Sequence, residues 1–555
     1  MLISSLVEVV SLGSIIPFLA AISNPGILST NQAFNYFINF FGILTHNQAV
    51  YYLAVFFGVF AIFSGIIRLF LLYLNNQLSF QTGTELSIDL YKRALYQPFN
   101  IHISSNTSQT IDLITTKTNQ VIFGVILPSL IIINSFIMIT ILLITLFFIN
   151  FKACLYTSLV IGGTYLIIII GTKNKKIQNS QIIAENSTNI LKNVREGLGC
   201  IRDTLINESF QFYLNNFKSL NSGLRKAQKS NQFLSLSPRY VLEAIIMCSI
   251  AALISYLLWF EETQLTIFPL LAFLALIAQR LLPLIQQSYA SWSSIQGSYR
   301  SLYNIVEFLG QSIQFSEKEK NCSKVKFHKD IVLRNVNFKY HTQSKNTLKK
   351  ISLTISKGDI FGIIGATGGG KTTLVDIITG LLEPTSGQIE IDGKAIDKSN
   401  INSWRRHIAY VPQTIYLADV SIAENIALGF NMDNIDFRKV KICAKKAQLD
   451  KVIKNLPLGY KTNVGERGVN FSGGQQQRIA IARALYNDTD VLIFDEATSA
   501  LDHKTENLLM QCITSLSKKL TIIIISHKLS TLKNCTKIIE ISDGKIIKKR
   551  NYKDL

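Results

Sequence analysis

Ile360-Phe361-Gly362-Ile363-Ile364 runs straight into Gly365-Ala366-Thr367-Gly368-Gly369-Gly370-Lys371-Thr372-Thr373, and Leu374, Ile377, Ile378 and Leu381 follow at helical spacing. A short apolar run, a glycine-rich turn and an apolar helical stretch fit GxxxxGK[ST] set between a strand and a helix. The glycines let backbone N–H groups converge on phosphate oxygens, and the helix N-terminus adds its positive end. Lys371 is the residue type that neutralises β- and γ-phosphate oxygens, and the Thr372 hydroxyl is a magnesium ligand in such loops. The stretch from Gly365 to Thr373 is therefore expected to hold ATP with Mg2+.

Working outward, the chain from about Phe327 alternates short β-branched runs with polar helical stretches, the pattern of an α/β domain. Val491-Leu492-Ile493-Phe494 ends in Asp495-Glu496. A buried strand delivers these two carboxylates to the ligand edge of a nucleotide-binding sheet, Asp495 toward the metal shell and Glu496 toward an attacking water. A solvated acidic turn is the plain alternative. Asn470-Phe471-Ser472-Gly473-Gly474-Gln475 then opens a helical run containing Arg478 and Arg483, a second possible anion site at a helix start. Spacing leaves open whether it meets the Lys371 loop of its own chain or of another.

Together these segments resemble the nucleotide-binding domain of the ATP-binding cassette (ABC) family. The resemblance implies that the Ser472-Gly473-Gly474-Gln475 segment of one subunit closes over ATP held by the other. Phe471 stands where the family usually has Leu. By the same resemblance Tyr340 stacks on adenine, and Gln413, in Tyr410-Val411-Pro412-Gln413, touches magnesium. Asp502, in Ser499-Ala500-Leu501-Asp502, speaks across the dimer, and His527 contacts the γ-phosphate. Taken singly, Gln413 reads more readily as an exposed turn residue and His527 as a core-edge histidine; it is the six motifs in order that favour the site. With Glu496, Gln413 and His527 all present, the implied site is competent for hydrolysis. Gly465-Glu466-Arg467-Gly468 resembles a segment of exporter-type cassettes.

The first half is a different material. The 555 residues are 48% hydrophobic and 17% charged, too apolar for a typical soluble enzyme, and the net charge is +20. A nucleic-acid binder has no use for long apolar runs, so the positive charge is assigned to an anionic membrane surface. Crossing ~30 Å of hydrocarbon takes about 20 apolar residues. Six runs of that order occur, approximately Leu2 to Ile22, Ala49 to Tyr73, Val121 to Phe148, Ala153 to Gly171, Tyr240 to Phe260 and Leu265 to Ile285. The first carries Glu8 in its middle and lacks a basic n-region, so it reads as a membrane helix, short or clipped at its start, and not as a signal peptide. Lys and Arg are absent from 23–48 and dense from Lys173 to Lys229, which puts the long loops and the C-terminal half in the cytoplasm. The seven cysteines lack any CxxC spacing and read as reduced thiols.

The expected architecture is an α-helical six-span transmembrane domain over 1–310, a polar linker over 311–326, and an α/β P-loop nucleotide-binding domain over 327–555. This layout resembles an ABC exporter half-transporter of a bacterial inner membrane. It implies a second copy of the chain, or a homologous half-transporter, as partner. The family's coupling helices are expected near Gln97-Pro98-Phe99 and from Glu196 to Arg202.

Charges in or beside the spans are costly and usually face a cavity. Glu8, Arg68, Arg239, Glu243 and Arg280 are the candidates. Three arginines suit a phosphate or pyrophosphate. Against that, Arg239 and Glu243 can pair at i,i+4 and Arg68 can snorkel. Phe34, Phe37, Ile38 and Phe41 mark one face of a short amphipathic outer helix that either shields a lipid tail or simply packs. With Pro238-Arg239 and Arg280 to Pro283, the membrane half resembles bacterial lipid-linked oligosaccharide flippases. An amphiphilic or lipid-linked substrate is implied, with drug or other lipid export, or nucleotide binding without transport, as alternatives.

Overall fold

Residues 1–13, 46–149, 151–259, 264–311, 326–340, 345–496, 506–508, 510, 511 and 520–550 are described by the computed structural model. They form two units, Met1–Gln97 with Ser105–Ile313, and Pro98–Ser104 with Gln314–Leu555. The expected outer helix around Phe34 to Phe41, the segment Ser499 to Asp502 and most of the linker lie outside the described residues.

The first unit is helical. Its elements are α1 (Leu2–Gly13), α2 (His46–Leu95), α4 (Thr107–Asp112), α5 (Thr118–Val121), α6 (Leu127–Ile149), α7 (Phe151–Gly199), α8 (Ile201–Ile206), α9 (Phe210–Trp259) and α10 (Gln264–Leu309), while α3 (Phe99–Ser104) belongs to the second unit. Two π-helical turns, Leu113–Lys117 and Ile122–Ile126, join α4, α5 and α6. A 50-residue helix such as α2 or α9 is roughly 75 Å long at 1.5 Å per residue. That is more than twice the hydrocarbon thickness, so each apolar run continues as a polar extension beyond the lipid. Val50–Leu95 and Thr107–Phe148 are long and apolar enough to cross a membrane, with mean hydropathies of 2.4 and 2.7, and Leu2–Ser11 is apolar but shorter. The other three expected runs fall on α7, α9 and α10, partly on side chains outside the described set.

The chain breaks where the coupling segments were expected, with one correction. Pro98 separates α2 from α3, as a residue without an N–H should. The stretch from Glu196 to Arg202 is a junction between two helices: α7 stops at Gly199, Cys200 takes non-helical angles, and α8 begins at Ile201.

Pro238 lies inside α9 and cannot donate to the carbonyl four residues back, Leu234. That carbonyl accepts instead from the Tyr289 hydroxyl of α10 at 3.0 Å. The same hydroxyl accepts from Lys176 Nζ of α7 at 3.0 Å, and the fully buried ammonium also lies over the Tyr289 and Trp292 rings. One proline thus fixes a three-helix contact through a buried polar chain. Tyr289→Phe leaves Leu234 O and Lys176 without this partner and is expected to cost about 1–3 kcal/mol. The check is the melting temperature of the full-length protein in detergent, where adding Pro238→Ala should recover part of the loss by restoring a backbone donor.

The second unit contains two sheets. β1 (Asp330–Phe338), β2 (Leu348–Ser356), β4 (Ser386–Ile391) and β5 (Lys394–Ala395) make an antiparallel sheet in the order β2-β1-β4-β5. β3 (Ile360–Ile364), β6 (Ile408–Val411), β7 (Val491–Asp495), β8 (Thr521–Ile525), β9 (Lys537–Ser542) and β10 (Lys545–Arg550) make the other, in the order β10-β9-β3-β8-β7-β6. Within it β9-β3-β8-β7-β6 are parallel. β7 and β8 are buried at every position, the reason they read as unbroken apolar runs, whereas β2 alternates. Two apolar clusters flank the sheet, one under α11 (Lys371–Ile378), the other shared by α13 (Ile422–Ile426), α14 (Phe437–Lys446) and α16 (Gly473–Tyr486), with α12 (Ile401–Arg405) and α15 (Asp450–Lys454) as short connecting helices. Leu381 falls beyond α11, which ends at Thr379-Gly380 with Gly380 in the left-handed region. Cys200, Cys248, Cys443 and Cys535 are free thiols, as expected.

Candidate nucleotide site

β3 hands the chain to the glycine loop at the sheet's C-terminal edge. Gly365 has φ 151°, and a Cβ there would lie 2.0 Å from the Ile541 carbonyl of β9, so only glycine fits. Gly370, at φ 101°, caps the start of α11. Ala366, Thr367 and Gly368 are exposed at the loop tip, while Gly369 is buried. Lys371 Nζ donates to the Gly365 and Ala366 carbonyls at 2.8 and 3.0 Å and lies 3.4 Å from His527 Nε2. Burial pushes the Lys371 pKa down, against the pull of Glu496 and Asp495. Thr372 is exposed on the first turn of α11, and Thr373 Oγ1 lies 3.2 Å from the Tyr340 hydroxyl. Tyr340, edge-on to Phe338, is thereby brought to the phosphate-loop helix.

The next strands supply the acidic groups. Asp495 closes β7, and Glu496, one residue on, takes a left-handed backbone at φ 50° with its N–H donating to Ile525 O. Such angles are costly for a residue other than glycine and recur at functional positions. Its carboxylate is held on both oxygens: Gln413 Nε2 donates to Oε2 at 2.7 Å, and His527 Nε2 is 2.7 Å from Oε1. Gln413 follows β6, Glu496 follows β7 and His527 follows β8, so adjacent parallel strands bring together residues more than a hundred positions apart. Glu496, Gln413, His527 and Lys371 form one constellation.

Two residues escaped the sequence reading. The Tyr410 hydroxyl donates to Asp495 Oδ2 at 2.9 Å, and its own pKa is pushed up by burial and then by Asp495. Asp376 is buried in α11 with its pKa raised to about 6, first by burial and then by the Asp495 charge. Its signal was available: one carboxylate between Leu374-Val375 and Ile377-Ile378 has no apolar role. Asp495 is itself raised by burial, against its Tyr410 hydrogen bond.

Ser472 caps α16. Its hydroxyl accepts from Gln475 N–H while Gln475 Oε1 accepts from Ser472 N–H, a reciprocal capping box. Phe471 is buried in the apolar cluster and anchors the turn, so its side chain is a core group. Gln476 Nε2 ties the turn to the Gly468 carbonyl, behind the Glu466–Gly468 turn in which Arg467 has φ 53°. Ser472 and Gly473 are exposed, and no hydrogen bond joins Ser472 to Gln475 with the Lys371 loop among the described residues.

In the helical unit the five charged candidates separate into two groups. Glu8 Oε1 lies 3.1 Å from Arg68 Nη2 and 3.4 Å from Arg280 Nη1, joining α1, α2 and α10. Arg239 and Glu243 pair with each other at 2.8 Å on an exposed face of α9, the i,i+4 alternative.

Residues 348–499 match the family described as ABC transporter. Over these residues the chain carries a cassette of the ABC transporter type. In chain order the helical unit comes first and the cassette second. An ATP-dependent lipid A-core flippase of Cupriavidus metallidurans is 38% identical over 227 residues, 41% of this chain and 38% of that protein. The corresponding flippase of Cupriavidus pinatubonensis is 26% identical over 498 residues, 89% of this chain and 84% of that protein. The alpha-hemolysin translocation ATP-binding protein HlyB of Escherichia coli is 38% identical over 292 residues, 53% of this chain and 41% of that protein. The chain thus spans well under half of the first relative's length and most of the second's. A bacterial Atm1-family ABC exporter solved with ATP bound shares the fold, with TM-score 0.81 and 21% identity over 98% of this chain and 95% of that one.

The raised Asp376 carboxyl gives a pH test. Between its ordinary value near 4 and about 6 the folded cassette holds more protons than the unfolded chain, so stability falls as pH rises through that window. Asp376→Asn should flatten that decline and stabilise the nucleotide-free protein at pH 7 by at most about 3 kcal/mol. Melting temperatures of both proteins from pH 4.5 to 7.5 should diverge as pH rises, and parallel curves would contradict the assignment.

Proposed function

We propose that two copies of this chain, embedded by six helices each in a bacterial inner membrane with the cassettes cytoplasmic, hydrolyse ATP to export or flip an anionic amphiphile. The observation that carries the hydrolytic part is Glu496, held on both carboxylate oxygens by Gln413 and His527 beside Lys371. A carboxylate so oriented is a general base for water. Thr372, Gln413 and Asp495 offer hard oxygen donors of the kind Mg2+ prefers, and Asp495 and Asp376, buried near one another, gain from a neighbouring cation. The ion supplies charge neutralisation on the phosphates. The exposed Ser472-Gly473 turn at the start of α16 supports a composite site in which Ser472 to Gln475 meet ATP on the partner, as does the absence of a bond to their own Lys371 loop among the described residues.

For the substrate, support comes from Arg68 and Arg280 converging in the helical unit and from the relatives named as lipid A-core flippases. A lipid-linked oligosaccharide or similar anionic lipid is the favoured cargo. The HlyB relative favours a second reading, export of a toxin-type polypeptide, although that similarity covers about half of this chain.

Lys371→Ala is expected to abolish hydrolysis, and Glu496→Gln to lower kcat by about a hundredfold or more while ATP binding persists. Purified protein in liposomes separates the cargo readings. Polyprenyl-pyrophosphate sugars should accelerate turnover, cationic amphiphiles should not, and Arg280→Ala should weaken the lipid stimulation more than the basal rate. Equal loss of both in Arg280→Ala would remove the anionic-cargo reading.

A further inference from the structure

The Glu8 cluster has an uneven geometry. The Glu8 side chain is 10% exposed, while Arg68 and Arg280 are 43% and 40% exposed. The carboxylate is therefore the inner member, and the two guanidinium groups sit farther out. Its chain neighbour Val9 packs against the apolar cluster of Met138, Leu142 and Leu281, and Leu281 follows Arg280. On that side the surroundings are apolar, where a lone arginine is expensive. Both guanidinium groups approach the same oxygen, Oε1, each through one nitrogen. A guanidinium carries five N–H donors, so among the described residues most remain for another acceptor. Among the described residues, one carboxylate against two arginines leaves a net charge of +1. A phosphate monoester carries about −1.5 to −2 at neutral pH and three acceptor oxygens, a better match to two planar forks than a single carboxylate.

We propose that Glu8 is an internal stand-in for a phosphate group: it holds Arg68 and Arg280 together while the site is empty, and a phosphate-bearing amphiphile displaces it. This rests on the anionic-amphiphile reading and adds to it a competitor that selects ligands. A singly charged carboxylate ligand gains nothing over Glu8 and is rejected, whereas a phosphate gains charge and donors. Glu8 is thus a specificity-determining residue, and the two arginines are the binding groups.

The test uses the full-length protein in phosphatidylcholine nanodiscs, with phosphatidic acid and inorganic phosphate as separate probes in equilibrium binding. Glu8→Gln, which removes the competing charge, should tighten phosphatidic acid binding by about tenfold. Arg68→Ala and Arg280→Ala should each weaken it, and Glu8→Gln should have no effect once both arginines are gone. Tightening for phosphatidic acid alone assigns a lipid headgroup, and equal tightening for inorganic phosphate assigns the bare anion. If Glu8→Gln does not fold, Glu8→Asp keeps the charge but shortens its reach, and should tighten binding by a smaller factor. Unchanged or weaker phosphatidic acid binding in the folded Glu8 variant, with the arginine variants still impaired, overturns the stand-in and leaves the anionic cargo intact. Absence of binding in the wild-type protein, with the arginine variants indistinguishable from it, overturns both.

Discussion

A carboxylate pinned at the end of a fully buried strand is the constraint on which the cassette depends. β7 is apolar from Val491 to Phe494 and buried at every position, so a one-residue slip would draw Glu496 into the interior and expel Val491. With that register set, the left-handed turn at Glu496 aims its side chain at Gln413 and His527. Each of those follows a neighbouring strand whose register is set by pairing to β7 or to its neighbour. The glycine loop after β3 joins the same edge because β3 pairs with β8. The proposed water activation and phosphate binding thus rest on strand order.

Among the described residues, two places carry charge that their described neighbours do not balance. In the cassette, Asp376 and Asp495 are both buried, the Asp495 charge adds to the burial that raises the Asp376 carboxyl pKa, and Lys371 is folded onto its own loop carbonyls. In the helical unit one glutamate faces two arginines. The first arrangement is short of positive charge and the second of negative charge. In the proposed function both are relieved by ligands of opposite sign, a cation with nucleotide in one and an anion in the other. In that reading the unbalanced charges lie where ligands bind, while the Lys176-Tyr289-Leu234 chain is satisfied internally and joins three helices.

Local chemistry was legible wherever neighbours in the chain decide it. The glycine loop, the strands Ile360–Ile364 and Thr521–Ile525, and the helix after Lys371 appear at the expected positions because each follows from a short run of residue types. The Arg239-Glu243 pair is of the same kind, set by helical spacing alone. Less legible were features that need a partner from elsewhere. Nothing in the residues around Pro238 indicates that Tyr289, fifty-one positions on, takes the carbonyl it frees. Nothing beside Tyr410 in the chain points to Asp495, which its hydroxyl reaches because β6 pairs with β7.

The sequence by itself determined that this chain has a phosphate loop, an acidic strand end, a serine-capped signature helix and long apolar helices, since loop conformation, helix starts and lipid solubility depend on contiguous residues. Tertiary structure decided which of the charged residues act together. Glu8 meets Arg68 and Arg280 across 60 and 272 positions, and Gln413 meets Glu496 across 83. Electrostatic interaction falls off with distance in space, and only packing and strand order convert those separations in sequence into contact.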